Sequence, residues 1–158
     1  MQEAEKPEME HSAKNALFCC EKRGYSQAFL QNFANFITGQ LLAAASSDVG
    51  GIRHGAGLAV IHPVLYRHIY KSGAARFARF AQNVWGIAPK GCDDETASAG
   101  VDTLAAFIKE IGLPTTFAEL GIPANTDFRA IADSTVFTEG CCKKLTHDEI
   151  YDILCECK

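Results

Sequence analysis

The sequence predicts an all-α fold. Three observations lead there. Apolar residues recur at helical spacing in several separate stretches, two threonine–glutamate capping boxes mark helix starts, and no stretch alternates apolar and polar residues as a half-buried strand would. About seven helices joined by short connections are expected, packed as a bundle around one core.

The elements follow in chain order. Residues 1–12 are acidic and polar and read as a flexible tail. Residues 13–53 are rich in helix formers, and Phe29, Phe33, Phe36 and Ile37 fall on one helical face. Gly24 separates two helices there, and Ser46-Ser47-Asp48-Val49-Gly50-Gly51 is a loop by composition. Gly55-Ala56-Gly57 then opens a long apolar helix with Leu58, Ile61, Leu65 and Ile69 spaced 3, 4 and 4. Arg67, His68 and Lys71 suit the negative end of its dipole. Pro63 lies inside this stretch and should kink it, or cost ~3 kcal/mol unless neighbours compensate. Gly73 ends it.

Residues 74–86 make the next helix, with Phe77, Phe80, Ala81, Val84 and Trp85 as its expected buried stripe. Pro89-Lys90-Gly91 turns the chain, and Asp93 and Asp94 mark a helix start. Leu104, Phe107, Ile108 and Ile111 continue at i, i+3, i+4 and i+7 until Gly112 stops the helix. Thr116-Phe117-Ala118-Glu119 opens a short turn that ends at Gly121, and Asp127 to Phe137 reads as one more helix. Thr146-His147-Asp148-Glu149 opens the last one, with Ile150, Ile153, Leu154 and Cys157 on one face.

Composition narrows the function classes. Apolar residues make up 47% and charged residues 22% of 158, which suits a globular chain and not a disordered one. A net charge of -4 offers no electrostatic footprint for nucleic acid and no polybasic segment for an anionic membrane. No apolar run approaches the ~20 residues of a membrane-spanning helix. The N-terminus lacks the basic start and apolar stretch of a signal peptide, so a cytoplasmic location is expected. Seven cysteines without a C-x-x-C pair fit reduced thiols better than a zinc or redox motif.

From residue 54 onward the order of short motifs carries a resemblance. They are His54-Gly55-Ala56-Gly57-Leu58-Ala59-Val60-Ile61-His62-Pro63, Arg76-Phe77-Ala78-Arg79-Phe80-Ala81 and Val84-Trp85-Gly86-Ile87. Gly112-Leu113-Pro114-Thr115, Glu119-Leu120-Gly121-Ile122 and Lys144-Leu145-Thr146 follow. The chain resembles the iron-containing alcohol dehydrogenases, nearest their butanol-dehydrogenase branch, over about 105 of its 158 residues. What the resemblance implies for residues 54–158 is the helical C-terminal domain of the dehydroquinate synthase-like fold.

The resemblance also implies chemistry. Its members oxidise primary alcohols or reduce aldehydes with NAD(P), which an N-terminal α/β domain binds. The helical domain supplies an Asp and three His to an iron or zinc ion that polarises the substrate oxygen. His54 matches the last of these histidines, the one in the H-G motif, and is the candidate metal ligand. The two companions that the resemblance places about ten and fourteen residues earlier fall on Ala44 and Gln40. Alanine has no donor atom, and glutamine offers a weak neutral oxygen. No aspartate is followed four residues later by a histidine. No residue is assigned as catalytic or as cofactor-binding: Gly55-Ala56-Gly57 has a helix after it but no strand before it.

Two functions are therefore expected. One is the C-terminal portion of a metal-dependent NAD(P)-linked alcohol dehydrogenase, incomplete and inactive alone, with Fe2+ or Zn2+ not held by this chain by itself. A separate nucleotide-binding chain is then the natural partner. The alternative is a non-catalytic relic or helical interaction domain of the same descent, whose bared apolar surface would favour homo-oligomers.

Overall fold

The computed structural model describes residues 54–135 and 142–158. Helix α1, His54–Ile69, runs unbroken through Pro63. Its neighbours compensate for the missing N–H, because this helix is buried on most of its circumference. Val60, Ile61, Leu65 and Ile69 are all at most 1% exposed, and burying a side chain of that size is worth ~1.5–3 kcal/mol. The kink anticipated at Pro63 gives way to a continuous helix. A 3-10 segment, Tyr70–Gly73, follows it directly.

Helix α2, Ala74–Trp85, ends at Gly86, which has a φ of +64° and donates its N–H to the Gln82 carbonyl at 3.1 Å. Helix α3, Asp93–Glu110, starts on Asp93, Asp94 and Glu95, three carboxylates placed where the helix dipole favours them. Thr96 ties the entry down: its hydroxyl accepts from the Lys90 N–H at 2.9 Å and donates to the Cys92 carbonyl at 3.1 Å.

The seam between α2 and α3 departs from the expected stripes. Ala81 and Ile108 are buried as expected, but the other buried residues are Ala78 on α2 and Thr96, Ala97, Gly100 and Val101 on α3. A Cβ built on Gly100 would lie 2.5 Å from the Ala81 Cβ, so the two backbones touch where glycine leaves room. Phe77, Phe80, Val84 and Trp85 flank that seam half-buried, as do Leu104 and Phe107, and Ile111 is 50% exposed. Close approach of the helices pushes the large side chains to the edges.

Both glycine stops hold. At Gly112 (φ +73°) and Gly121 (φ +76°) the same pair of bonds closes the turn. Gly112 and Leu113 donate to the carbonyls of Lys109 and Ile108; Gly121 and Ile122 donate to those of Ala118 and Phe117. A left-handed glycine followed by such 5→2 and 6→1 bonds is the Schellman arrangement.

Helix α4 is shorter than expected. It covers Phe128–Asp133, with Asp127 as its cap accepting from the Ala130 N–H at 2.9 Å. The hydroxyls of Ser134 and Thr135 both donate to the Ile131 carbonyl, which ends the helix before Phe137. Helix α5, His147–Glu156, opens with the full capping box of Thr146 and Glu149.

One core joins α1, α4, α5 and the turn at Phe117. Ile61, Leu65, Ile150, Ile153 and Leu154 are completely buried. Phe117 stacks on Phe128 at 5.4 Å between ring centroids, and its N–H donates to the Cys157 carbonyl at 2.7 Å. The described residues contain five α-helices and no strand. The helices expected in residues 13–46, and the division at residue 12, lie outside the described residues.

Candidate functional site

His54, the one sequence-derived ligand candidate, is the first residue of α1. Gly55-Ala56-Gly57, which follows it, lies inside the first turn of that helix rather than in a loop ahead of it. Gln40 and Ala44 lie outside the described residues.

The other three described histidines are spread over the domain. His62 stacks on Tyr66 at 5.3 Å with the rings 9° from parallel, and Tyr66 in turn meets the edge of Phe77 at 5.3 Å. His68 lies at the far end of α1, where its Nε2–H donates to the Glu156 carboxylate at 3.0 Å. His147, the first residue of α5, is half-buried, and its Nε2–H donates to the Thr135 carbonyl at 3.2 Å, bridging α5 to the end of α4. The His68 and His147 partners are tertiary, so no local sequence signal points to them.

Among the described residues the thiols do not form a second centre. Cys92, Cys142, Cys155 and Cys157 are all free of disulfides. Cys92 is exposed just before α3, and Cys142 lies within 3.6 Å of the Ile69 carbonyl. Cys157 is buried with its Sγ directed at the Val60 carbonyl. Burial, helped by the Glu156 charge, pushes its pKa up to about 12, so it stays a thiol at neutral pH. A metal or an electrophile needs the thiolate.

Charged residues gather elsewhere. An open groove of about 670 Å3 between the 3-10 segment and the first half of α3 is lined by Lys71, Lys90, Asp94, Glu95 and Asp102. Arg67 reaches Asp102 at 3.2 Å, so part of that charge is already paired. Arg129 clamps α4 to α5 through Asp133 and Asp148 while lying 5.8 Å over the Tyr151 ring. Glu149 serves the capping box and pairs with Lys143, and the Lys143 ammonium and then the Thr146 N–H hold its carboxyl below the usual range. Glu119 accepts from the Thr115 N–H at 2.6 Å, one residue earlier than the capping box in the sequence suggested, and that bond is the main reason its pKa is lowered. These contacts set helix ends and helix pairs.

Among the described residues no three of His, Cys, Asp or Glu lie together where a metal ion could be held. The donors among the described residues therefore do not fit the Asp-and-three-His centre that the resemblance implies. No described helix is long and apolar enough to cross a membrane.

An all-α domain with His54 at the entry to its central helix is what the fold defines, and comparison with known proteins assigns its descent. The chain belongs to the Fe-containing alcohol dehydrogenase family: the model of that family's C-terminal region matches residues 32–157. The probable NADH-dependent butanol dehydrogenase 1 of Bacillus subtilis is 33% identical over 113 residues, covering 70% of this chain and 29% of that protein. Among solved structures, a 1,3-propanediol oxidoreductase superposes with a TM-score of 0.68 at 21% identity, over 80% of this chain and 32% of the other. The NADH-dependent butanol dehydrogenase A of Thermotoga maritima superposes with a TM-score of 0.63 at 25% identity, over 79% and 32%. This chain thus spans about a third of the length of such relatives. The family match begins at residue 32, ahead of the dense motifs that start at residue 54.

Proposed function

We propose that these 158 residues are the C-terminal helical portion of an NAD(P)-linked, metal-dependent alcohol dehydrogenase that interconverts a primary alcohol and its aldehyde. The nucleotide-binding portion is supplied from outside these residues. What carries this reading is the family match over residues 32–157, together with two curated relatives whose names state NADH-dependent butanol dehydrogenase. Residues 32–53 then belong to the family's C-terminal region, with Gln40 and Ala44 where the resemblance places metal-binding histidines. The role left to the helical domain is to wall the substrate side of a cleft and exclude water around a hydride transfer whose chemistry belongs to the nicotinamide.

A chimera tests this. The Bacillus subtilis butanol dehydrogenase is joined, at the position matching residue 54, to residues 54–158 of this chain, so that the relative contributes its nucleotide domain and its earlier ligands. Oxidation of NADH with butanal as substrate is the expected outcome. A soluble, iron-loaded chimera that leaves NADH untouched would refute the dehydrogenase reading and favour a helical domain retained for another purpose.

A further inference from the structure

We infer that this chain does not by itself build an imidazole metal site at His54, although its family is named for the ion such a site holds. The inventory of imidazoles decides the matter. The chain has five histidines: His11, His54, His62, His68 and His147. Three are engaged at separate places in the folded domain. His62 is stacked against Tyr66, His68 is bonded to Glu156 at one end of α5, and His147 at the other end is bonded to the Thr135 carbonyl. Only His54 and His11 remain, and catalytic sites for such ions generally take at least three protein ligands.

Other donors do not complete the set. The described carboxylates and thiols form no cluster of three with each other or with a histidine. Gln40 and Ala44 stand where the resemblance places the companion imidazoles. A lone imidazole faces competition from solvent water at every other coordination position, so a divalent ion exchanges away readily. Any ion held at His54 then takes most of its donors from outside these 158 residues.

Metal content is the readout, so this inference and the dehydrogenase reading fail on different measurements. The full-length chain, reduced and free of any tag, is equilibrated with excess Fe2+ under anaerobic conditions, desalted and assayed by elemental analysis. Cobalt(II) serves as a spectroscopic stand-in on a second sample. The expected result is far less than one iron per chain and no intense visible band from tetrahedral cobalt. An ion retained equally by the parent and by His54→Ala also agrees, since it is held away from His54. One ion per chain that is lost in a folded His54→Ala variant, and lost again in His54→Gln, would overturn the inference.

Discussion

Gly100→Ala puts the close contact between α2 and α3 to a quantitative test. The new Cβ would lie 2.5 Å from the Ala81 Cβ and 3.1 Å from its Cα. Carbon atoms in good contact stand ~3.5–4.0 Å apart, so the helices would have to separate by ~1 Å at this point. Neither contact atom belongs to a flexible side chain that could swing aside. Two effects oppose each other. Alanine is favoured over glycine in a helix interior by ~1 kcal/mol, whereas overpacking a tight core costs typically ~1–3 kcal/mol. A backbone contact of this kind falls toward the upper end, leaving a net loss of ~1–2 kcal/mol. For a chain of this size that lowers Tm by ~2–8 °C, readable by far-UV circular dichroism. The partner substitution supplies the control. Ala81→Gly removes the opposing methyl, so the double variant should lose less than the sum of the two single variants, by ~1 kcal/mol or more. A raised Tm for Gly100→Ala, or strict additivity with Ala81→Gly, would show that the helices do not meet at this glycine.

Two further outcomes are expected from the charged and thiol groups. Glu149 has its pKa lowered below 4.5, first by the Lys143 ammonium and then by the Thr146 N–H. Its contribution to stability is therefore complete above about pH 5 and is lost as pH falls through the lowered folded value. Glu149→Gln should flatten that part of the stability–pH curve, measured by urea unfolding between pH 3 and 6, and an unchanged slope would contradict the pairing. Cys157, at 1% exposure and with a pKa near 12, should resist iodoacetamide at pH 8 under native conditions while exposed Cys92 is modified. Mass spectrometry of tryptic peptides distinguishes the two sites, and equal labelling would mean that the α1–α5 core opens readily.

Helix ends were the most legible part of the fold because their chemistry is local. Thr146 and Glu149 satisfy one another's backbone within four residues, and Gly112 and Gly121 adopt a conformation that other residues avoid. Face assignments were less legible. Apolar spacing picks out Phe77, Phe80, Ala81, Val84 and Trp85, yet of these only Ala81 is buried, beside Ala78, because Gly100 lets the backbones approach until only small side chains fit between them. The end of α4 was illegible for a related reason. Ser134 and Thr135 return their hydroxyls to Ile131, a competition with the helix that apolar periodicity does not record. At the candidate site, the motif around His54 carried the family, whereas the commitments of His68 and His147 depend on residues 88 and 12 positions away.

Packing and coordination are separable in this domain, and α1 shows why. The residues that anchor the helix, Ile61, Leu65 and Ile69, belong to one apolar cluster with Phe117, Phe128, Ile131, Ile150, Ile153 and Leu154. Their burial is what makes the helix continue through Pro63. A metal ligand at the first residue of the same helix contributes to a different balance, set by how many donors converge on one point. The resemblance places the companion donors at positions 40 and 44, where the sequence has Gln and Ala, whereas the core of the described residues is drawn from position 60 onward.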